Sequence, residues 1–403
     1  MVVACLGAVL SGNGAAGSST VPVAHGAYVG AANPAGIAAF DDVTGTHSTI
    51  AADYLPANAG WSGMDGEGGS LSWMFAQAWT GTAYTLSLGV PIIPTDPAGR
   101  PQGTLASGAA GAYDAHFTTL AETLVAAGES NAYLRLGWEF DGGWNAWKAT
   151  TPSSERNFAA YFRHIVAAMS TVPGAHFRFV WNPDADAFNS TGYNVALAYP
   201  GNAYVNDIGI DIYDQSWVAP LTPADAWTET TLPSLTAAEA FANRRDKPVA
   251  VTEWGTAIRS DGHGLGDDPL YVTDMIAWIR DPAHHVAFEL YFDYEGRGTD
   301  STITGGRFPR SLAAFKLAFS GSGVERAGGP TTVERSPGHP DLEWLFIGAF
   351  VVASGLGMRW RRRVGRLRNG PGRDARVPPP RRVYPPEAQD APPPVRQWAQ
   401  QRQ

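Results

Sequence analysis

Eight short segments rich in apolar and β-branched residues recur between the two ends of this chain, at 27–31, 48–54, 84–93, 132–139, 176–182, 205–213, 248–253 and 286–292. Amphipathic stretches at 113–127, 154–169, 232–243 and 269–279 fall between them, and 310–319 closes the set. Short strands that alternate with longer helices specify parallel pairing, because each helical crossover returns the chain to the same edge of the sheet. Eight such units close on themselves as a (β/α)8 TIM barrel, which needs ~250 residues or somewhat more. The chain has 403 residues, 44% of them apolar, enough to bury one large core. The expected barrel domain runs from 21 to 320.

The ends read differently. Residues 1–20, MVVACLGAVL then SGNGAAGSST, resemble the latter part of a secretory signal without its basic start. Residues 321–341 lack apolar periodicity and read as a flexible stalk. The uncharged run WLFIGAFVVASGLGM, extended to 342–360, is followed at once by RRRVGRLR. A spanning helix takes about 17–25 residues, and a basic flank marks its cytoplasmic side. We therefore expect a single transmembrane helix there, with the barrel on the extracellular face and a disordered Arg- and Pro-rich tail at 361–403.

From Arg359 onward twelve arginines face only Asp374, Glu387 and Asp390, so the tail carries +9 and leaves −18 on the rest of a chain whose net charge is −9. An acidic body repels nucleic acid and anionic polymers, so no nucleic-acid partner is expected. Cys5 is the only cysteine, which excludes an intramolecular disulfide and a cysteine-built zinc site.

Two segments end an apolar strand with a glutamate and then turn on glycine or tryptophan: YLRLGWEFDGGWNAW, with Glu139, and KPVAVTEWG, with Glu253. They close the fourth and seventh strands, and in a barrel the C-terminal strand ends build the site. Two carboxylates in one pocket are what glycoside cleavage needs, one to protonate the leaving oxygen and one to attack the anomeric carbon. Strand alternation places Arg135 and Glu139 on one face, and Val249, Val251 and Glu253 on one face of the seventh strand.

The first of these segments resembles the signature of glycoside hydrolase family 26, a run of Arg-x-x-His-Glu-x-Asn-Gly-x-Trp-x-x-Trp. Arg135, Glu139, Gly142, Trp144 and Trp147 fall in register, whereas Trp138 stands for the histidine and Asp141 for the asparagine. The resemblance implies a retaining endo-acting enzyme on a β-linked, mannan-like polysaccharide, with Glu139 as general acid/base and Glu253 as nucleophile. It also implies that Tyr213 hydrogen-bonds the nucleophile, and Asp211 shares that strand face. The two replacements imply altered contacts to the sugar nearest the cleaved bond.

Sugars stack their C–H faces on aromatic rings, so the tryptophans that follow strand ends, Trp144, Trp147, Trp181, Trp217 and Trp254, are candidates to line a cleft, with Trp138 and Asn182 beside them. Trp278, inside a helical pattern, reads as core. The loop SDGHGLGDDP does not match a calcium loop, and Asp268-Pro269 reads as a helix start, so no metal is expected. No dinucleotide fingerprint or P-loop is present, and no cofactor is expected. Two further readings keep the same residues: a membrane-tethered glycan-binding protein with little turnover, and a transglycosylase that remodels an exopolysaccharide.

Overall fold

The computed structural model describes residues 23–320, apart from 218–221 and 297. Eight strands close into a barrel in chain order: β1 (Ala24–Tyr28), β2 (Ile50–Tyr54), β3 (Thr85–Val90), β4 (Tyr133–Leu136), β5 (Arg178–Trp181), β6 (Asp207–Tyr213), β7 (Val249–Gly255) and β8 (Val286–Phe292). All neighbours pair in parallel, and β8 pairs β1 from Ala24↔Phe288 to Tyr28↔Phe292 to seal the ring. Six of the eight expected segments hold one of these strands. The segment 248–253 stops two residues short of the end of β7, and 27–31 overlaps β1 only at Ala27 and Tyr28, because β1 starts earlier, at Ala24. Because they are parallel, their C-terminal ends form a single rim.

Six longer helices pack outside: α1 (Pro34–Thr44), α2 (Asp114–Ala127), α3 (Pro152–Ser170), α4 (Leu232–Asn243), α5 (Pro269–Arg280) and α6 (Pro309–Ser320). Their starts follow local chemistry. The Asn33 side chain accepts the Gly36 N–H ahead of Pro34, Thr151 and Ser154 form a reciprocal capping box ahead of α3, and Asp268 accepts the Leu270 N–H ahead of Pro269. The crossover from β5 to β6 has only short 3₁₀ turns, at Ala185–Phe188, Val195–Ala198 and Asn202–Tyr204. That stretch carries three asparagines, two glycines and a proline between residues 189 and 202, too many turn formers for a helix.

Ile50, Ala52, Val180, Ala250, Phe288 and Leu290 fill the barrel interior as one buried cluster, with the Tyr133 ring 4.5 Å from that of Phe288. Val249 and Val251 instead belong to the outer core between strands and helices. This corrects the expected faces of β7: the interior side carries Ala250, and Glu253 does not share the side of Val251 by simple alternation.

The expected segments at 1–20, 321–341, 342–360 and 361–403 lie outside the described residues. Among the described residues no helix is long and apolar enough to cross a membrane.

Candidate active site

β4 and β7 each deliver a glutamate to the rim by a departure from regular strand geometry. β4 ends at Leu136, after which Gly137 (φ 61°) and Glu139 (φ 48°) both adopt the left-handed region. That conformation costs a non-glycine residue on the order of 1–3 kcal/mol and persists where surrounding bonds fix it. Here the Glu139 N–H donates to the Asn182 carbonyl at 2.8 Å and the Gly137 N–H to the Val90 carbonyl at 2.9 Å. A side chain at Gly137 would meet Ile92 at 2.8 Å as well as being strained. On β7, pairing with β6 passes from Val251↔Ile210 to Glu253↔Asp211, so Thr252 is one residue extra. This bulge turns Thr252 and Glu253 both toward the interior, and bulges are a common means of re-aiming a side chain at a site.

Arg135 is fully buried and organises what lies between them. Its Nη2 donates to Glu253 Oε1 at 2.5 Å and to Asp211 Oδ2 at 2.8 Å; its Nη1 donates to the Tyr54 hydroxyl at 2.9 Å and its Nε to Asn182 Oδ1 at 2.6 Å. Tyr54 in turn donates to Glu253 Oε1 at 2.5 Å, and Tyr213 to Glu253 Oε2 at 2.6 Å. Thr252 donates to Asp211 Oδ1 at 2.6 Å. Burial pushes both phenols well above their ordinary value, so they remain protonated donors. Both oxygens of Glu253 are thus held in place by three donors.

Glu139 is placed differently. Its one side-chain partner is Trp144, whose Nε1–H donates to Oε2 at 2.9 Å. Burial raises its carboxyl well above 4.5, and the negative charges of Glu253 and Asp184 add to the effect, against a smaller lowering by the Trp144 hydrogen bond. One carboxylate oxygen from each of Glu139, Asp211 and Glu253 lies within 4.8 Å of the others. Three clustered carboxylates can hold a cation, but here the oxygens of Asp211 and Glu253 are already committed to Arg135, Tyr54, Tyr213 and Thr252. The guanidinium supplies the balancing charge.

The Trp144 contact depends on Gly142, where a Cβ would come within 2.2 Å of the folded-back indole. Trp138 is half-buried with its ring 5.2 Å from that of Tyr54 and 4.8 Å from that of Trp147. Asp141 accepts the Asp184 N–H at 3.0 Å, tying the loop after β4 to the loop after β5, and burial pushes its carboxyl up to about 7.

Comparison with known proteins gives this arrangement a relative. The sequence profile of glycosyl hydrolase family 26 matches residues 121–238. Over that stretch the chain is similar to glycosyl hydrolase family 26. A mannan endo-1,4-beta-mannosidase of Bifidobacterium adolescentis is 26% identical over 167 residues, which are 40% of this chain and 16% of that enzyme. This chain therefore aligns with only a small part of that longer relative. Among solved structures, a family 26 protein of Muricauda sp. superposes with a TM-score of 0.55 at 17% identity, over 74% of this chain and 85% of that one. A double mutant of an endo-beta-1,4-mannanase from Cellulomonas fimi superposes with a TM-score of 0.51 at 19% identity, over 70% of this chain and 65% of that one. These two superpositions speak for the fold.

The family 26 profile includes Arg135, Glu139, Asp211 and Tyr213 and stops short of Glu253, which joins them through the geometry above. Two of the expected sugar-binding tryptophans are not on the rim. Trp181 is fully buried, stacked at 5.2 Å on Phe241 with its Nε1–H on the Ala198 carbonyl. Trp254 is fully buried against Phe315 and Tyr291 and donates to Glu289 at 2.6 Å. Both face the outer helices. Trp147 is also buried and serves as a prop, its Nε1–H on the Trp138 carbonyl at 2.8 Å. Asn182 and Arg135 are buried and bonded to protein groups, which makes them positioning residues. Sequence reasoning missed Tyr54, Thr252 and Asp184. Tyr54 ends an expected strand, and that was the one available signal.

The Trp144 hydrogen bond stabilises charged Glu139, so its loss raises the carboxyl further. In Trp144→Phe, the high-pH limb of the kcat/KM profile is expected to move to higher pH, measured on any substrate the variant still turns over. A limb that stays in place would detach Trp144 from the proton balance of Glu139.

Proposed function

We infer that this family 26-like barrel hydrolyses a β-linked polysaccharide of mannan type, from within the chain and with retention of configuration. The observation that carries the reading is the pair of carboxylates in unlike surroundings, within 4.8 Å of each other. Retaining glycosidases hold the two groups about 5–5.5 Å apart, whereas inverting ones need about 6.5–9.5 Å to admit a water.

In the first step Glu139, held protonated by burial, gives its proton to the glycosidic oxygen as the C–O bond breaks. Glu253 attacks the anomeric carbon from the opposite face, forming a glycosyl ester. In the second step Glu139, now a carboxylate, takes a proton from water, which attacks the same carbon and releases Glu253. Arg135, Tyr54 and Tyr213 fix the attacking oxygens, so little reorganisation is needed as charge leaves Glu253. The mannanase relative supports mannan as the first polymer to try. The apolar run at 344–358 and its arginine flank support tethering at the outer face of a membrane.

Release of new reducing ends from β-1,4-mannan and glucomannan, with mixed-linked glucan and xylan as alternatives, tests the activity. We expect wild type to cut a mannan-type polymer and to yield the β-anomer first, as followed by proton NMR. Early release of the α-anomer would rule out retention, and inertness toward every polymer would rule out hydrolysis of these glycans.

A further inference from the structure

Among the described residues four large apolar side chains are exposed: Val43, Trp144, Trp217 and Leu317. Val43 and Leu317 lie on α1 and α6. The two tryptophans both follow C-terminal strand ends, Trp144 after β4 and Trp217 after β6, on the rim that carries Glu139 and Glu253. Trp144 is engaged with Glu139. Nothing so far accounts for Trp217, and we propose that it is the stacking platform of a remote sugar subsite, which binds a neutral pyranose ring of the polysaccharide beyond the one being cleaved. The proposal deepens the glycosidase reading and rests on it.

Three features of the site support this. The ring is braced from within the protein. His263 packs against it with centroids 4.0 Å apart and planes 32° apart, and the Arg259 guanidinium lies 5.2 Å from its centre. Arg259 is itself held by Asp261 at 2.7 Å, Gln215 at 3.1 Å and Thr299 at 3.2 Å. With this bracing Trp217 as a residue still keeps 39% of its surface exposed. A ring fixed before binding loses little conformational freedom when a sugar docks.

The segment is also tied down. The Asp214 N–H donates to the Gly255 carbonyl at 3.0 Å, the Ser216 N–H to the His263 carbonyl at 2.9 Å and the Leu265 N–H to the Asp214 carbonyl at 3.1 Å. Gln215 and Gly264 form an antiparallel bridge. The loops after β6 and β7 are thus zipped together.

Lastly, Gln215 and Trp217 follow β6 directly past its end at Tyr213. Tyr213 holds the nucleophile, while Gln215 lines the small polar pocket beside it, with Asp184, Thr230 and Thr231. Trp217 comes two residues further, and Gln215 and Trp217 both contact Arg259. From Tyr213 to Trp217 the backbone reaches at most about 13 Å. Tyr213, Gln215 and Trp217 thus bring a hydroxyl, an amide and an exposed tryptophan together beside the cleavage point, the combination of polar and aromatic groups that sugars need.

The test compares wild type, Trp217→Ala and Trp217→Phe, as full chains, by the ratio of kcat/KM on β-1,4-mannohexaose to that on mannotriose. Trp217→Ala is expected to lower the ratio about tenfold, and Trp217→Phe to keep most of it. A ratio unchanged in Trp217→Ala overturns the subsite while the glycosidase reading stands. If wild type cuts neither oligosaccharide, the mannan reading falls separately. Mobility in native gels containing glucomannan, mixed-linked glucan or xylan then decides: a polymer that retards wild type and not Trp217→Ala supports the platform, and equal mobility of the two proteins in every gel overturns it.

Discussion

Glu253→Ala is expected to reduce turnover of any cleaved glycan by at least about 10⁴-fold, the scale of removing the nucleophile from a catalytic unit. No other described group stands in for it, because Asp211 turns both oxygens to Arg135 and Thr252. Glu139→Ala should behave differently. A general acid contributes about 10²–10⁴-fold, and only where the leaving group needs its proton. On an aryl β-glycoside whose phenol leaves readily, the first step of Glu139→Ala should stay close to wild type while the second is slow, which gives a burst of phenol. Added azide separates the roles stereochemically. In Glu139→Ala it attacks the glycosyl ester and returns the β-azide; in Glu253→Ala it enters the vacated space and attacks the intact glycoside, giving the α-azide. NMR of the azide products reads the outcome, and α-azide from Glu139→Ala with β-azide from Glu253→Ala would exchange the two assignments.

The two glutamates were legible because each closes a run of strand-forming residues, and a parallel barrel gathers all such ends on one rim. How each side chain arrives there was not legible. Alternation alone would keep Glu253 on the side of Val251, away from the interior, and only the extra residue Thr252 brings it in. A bulge depends on how β7 pairs with β6, which no local pattern reveals. The left-handed turn at Glu139 is likewise set by tertiary bonds, above all that to the Asn182 carbonyl. The tryptophans were misjudged for a reason that strand geometry does contain. Trp181 follows Val180, which fills the barrel interior, so its own ring must face the helices. Trp254 follows Glu253 and points outward in the same way. Proximity to a strand end raised both as candidates, but the direction of the side chain decides. Tyr54 was passed over because nothing beside it in sequence marks the end of β2 as chemical; its partners come from β4 and β7.

Arg135→Met should destabilise the fold by about 3–5 kcal/mol, the cost of removing one partner from a buried ion pair. The guanidinium serves four acceptors at once, and no solvent reaches the space it fills. Its removal leaves Asp211 and Glu253 facing each other without a counter-charge. Burial already holds the Asp211 carboxyl well above its ordinary 3.8, with Arg135 the main influence in the other direction. Without Arg135 the folded value rises further, so the folded variant retains a proton that the unfolded chain gives up at about pH 4. Where the folded state binds more protons, stability falls as pH rises. The penalty of Arg135→Met relative to wild type should therefore be smaller at pH 5 than at pH 7, as read from urea midpoints at the two values. A penalty equal at both would mean that packing, and not charge, is what Arg135 supplies. Arg135→Lys provides the control that folds more readily: it keeps the charge but cannot reach four acceptors with a rigid fork. It should recover much of the stability and little of the turnover, because Tyr54 and Asn182 lose the partner that sets them around Glu253.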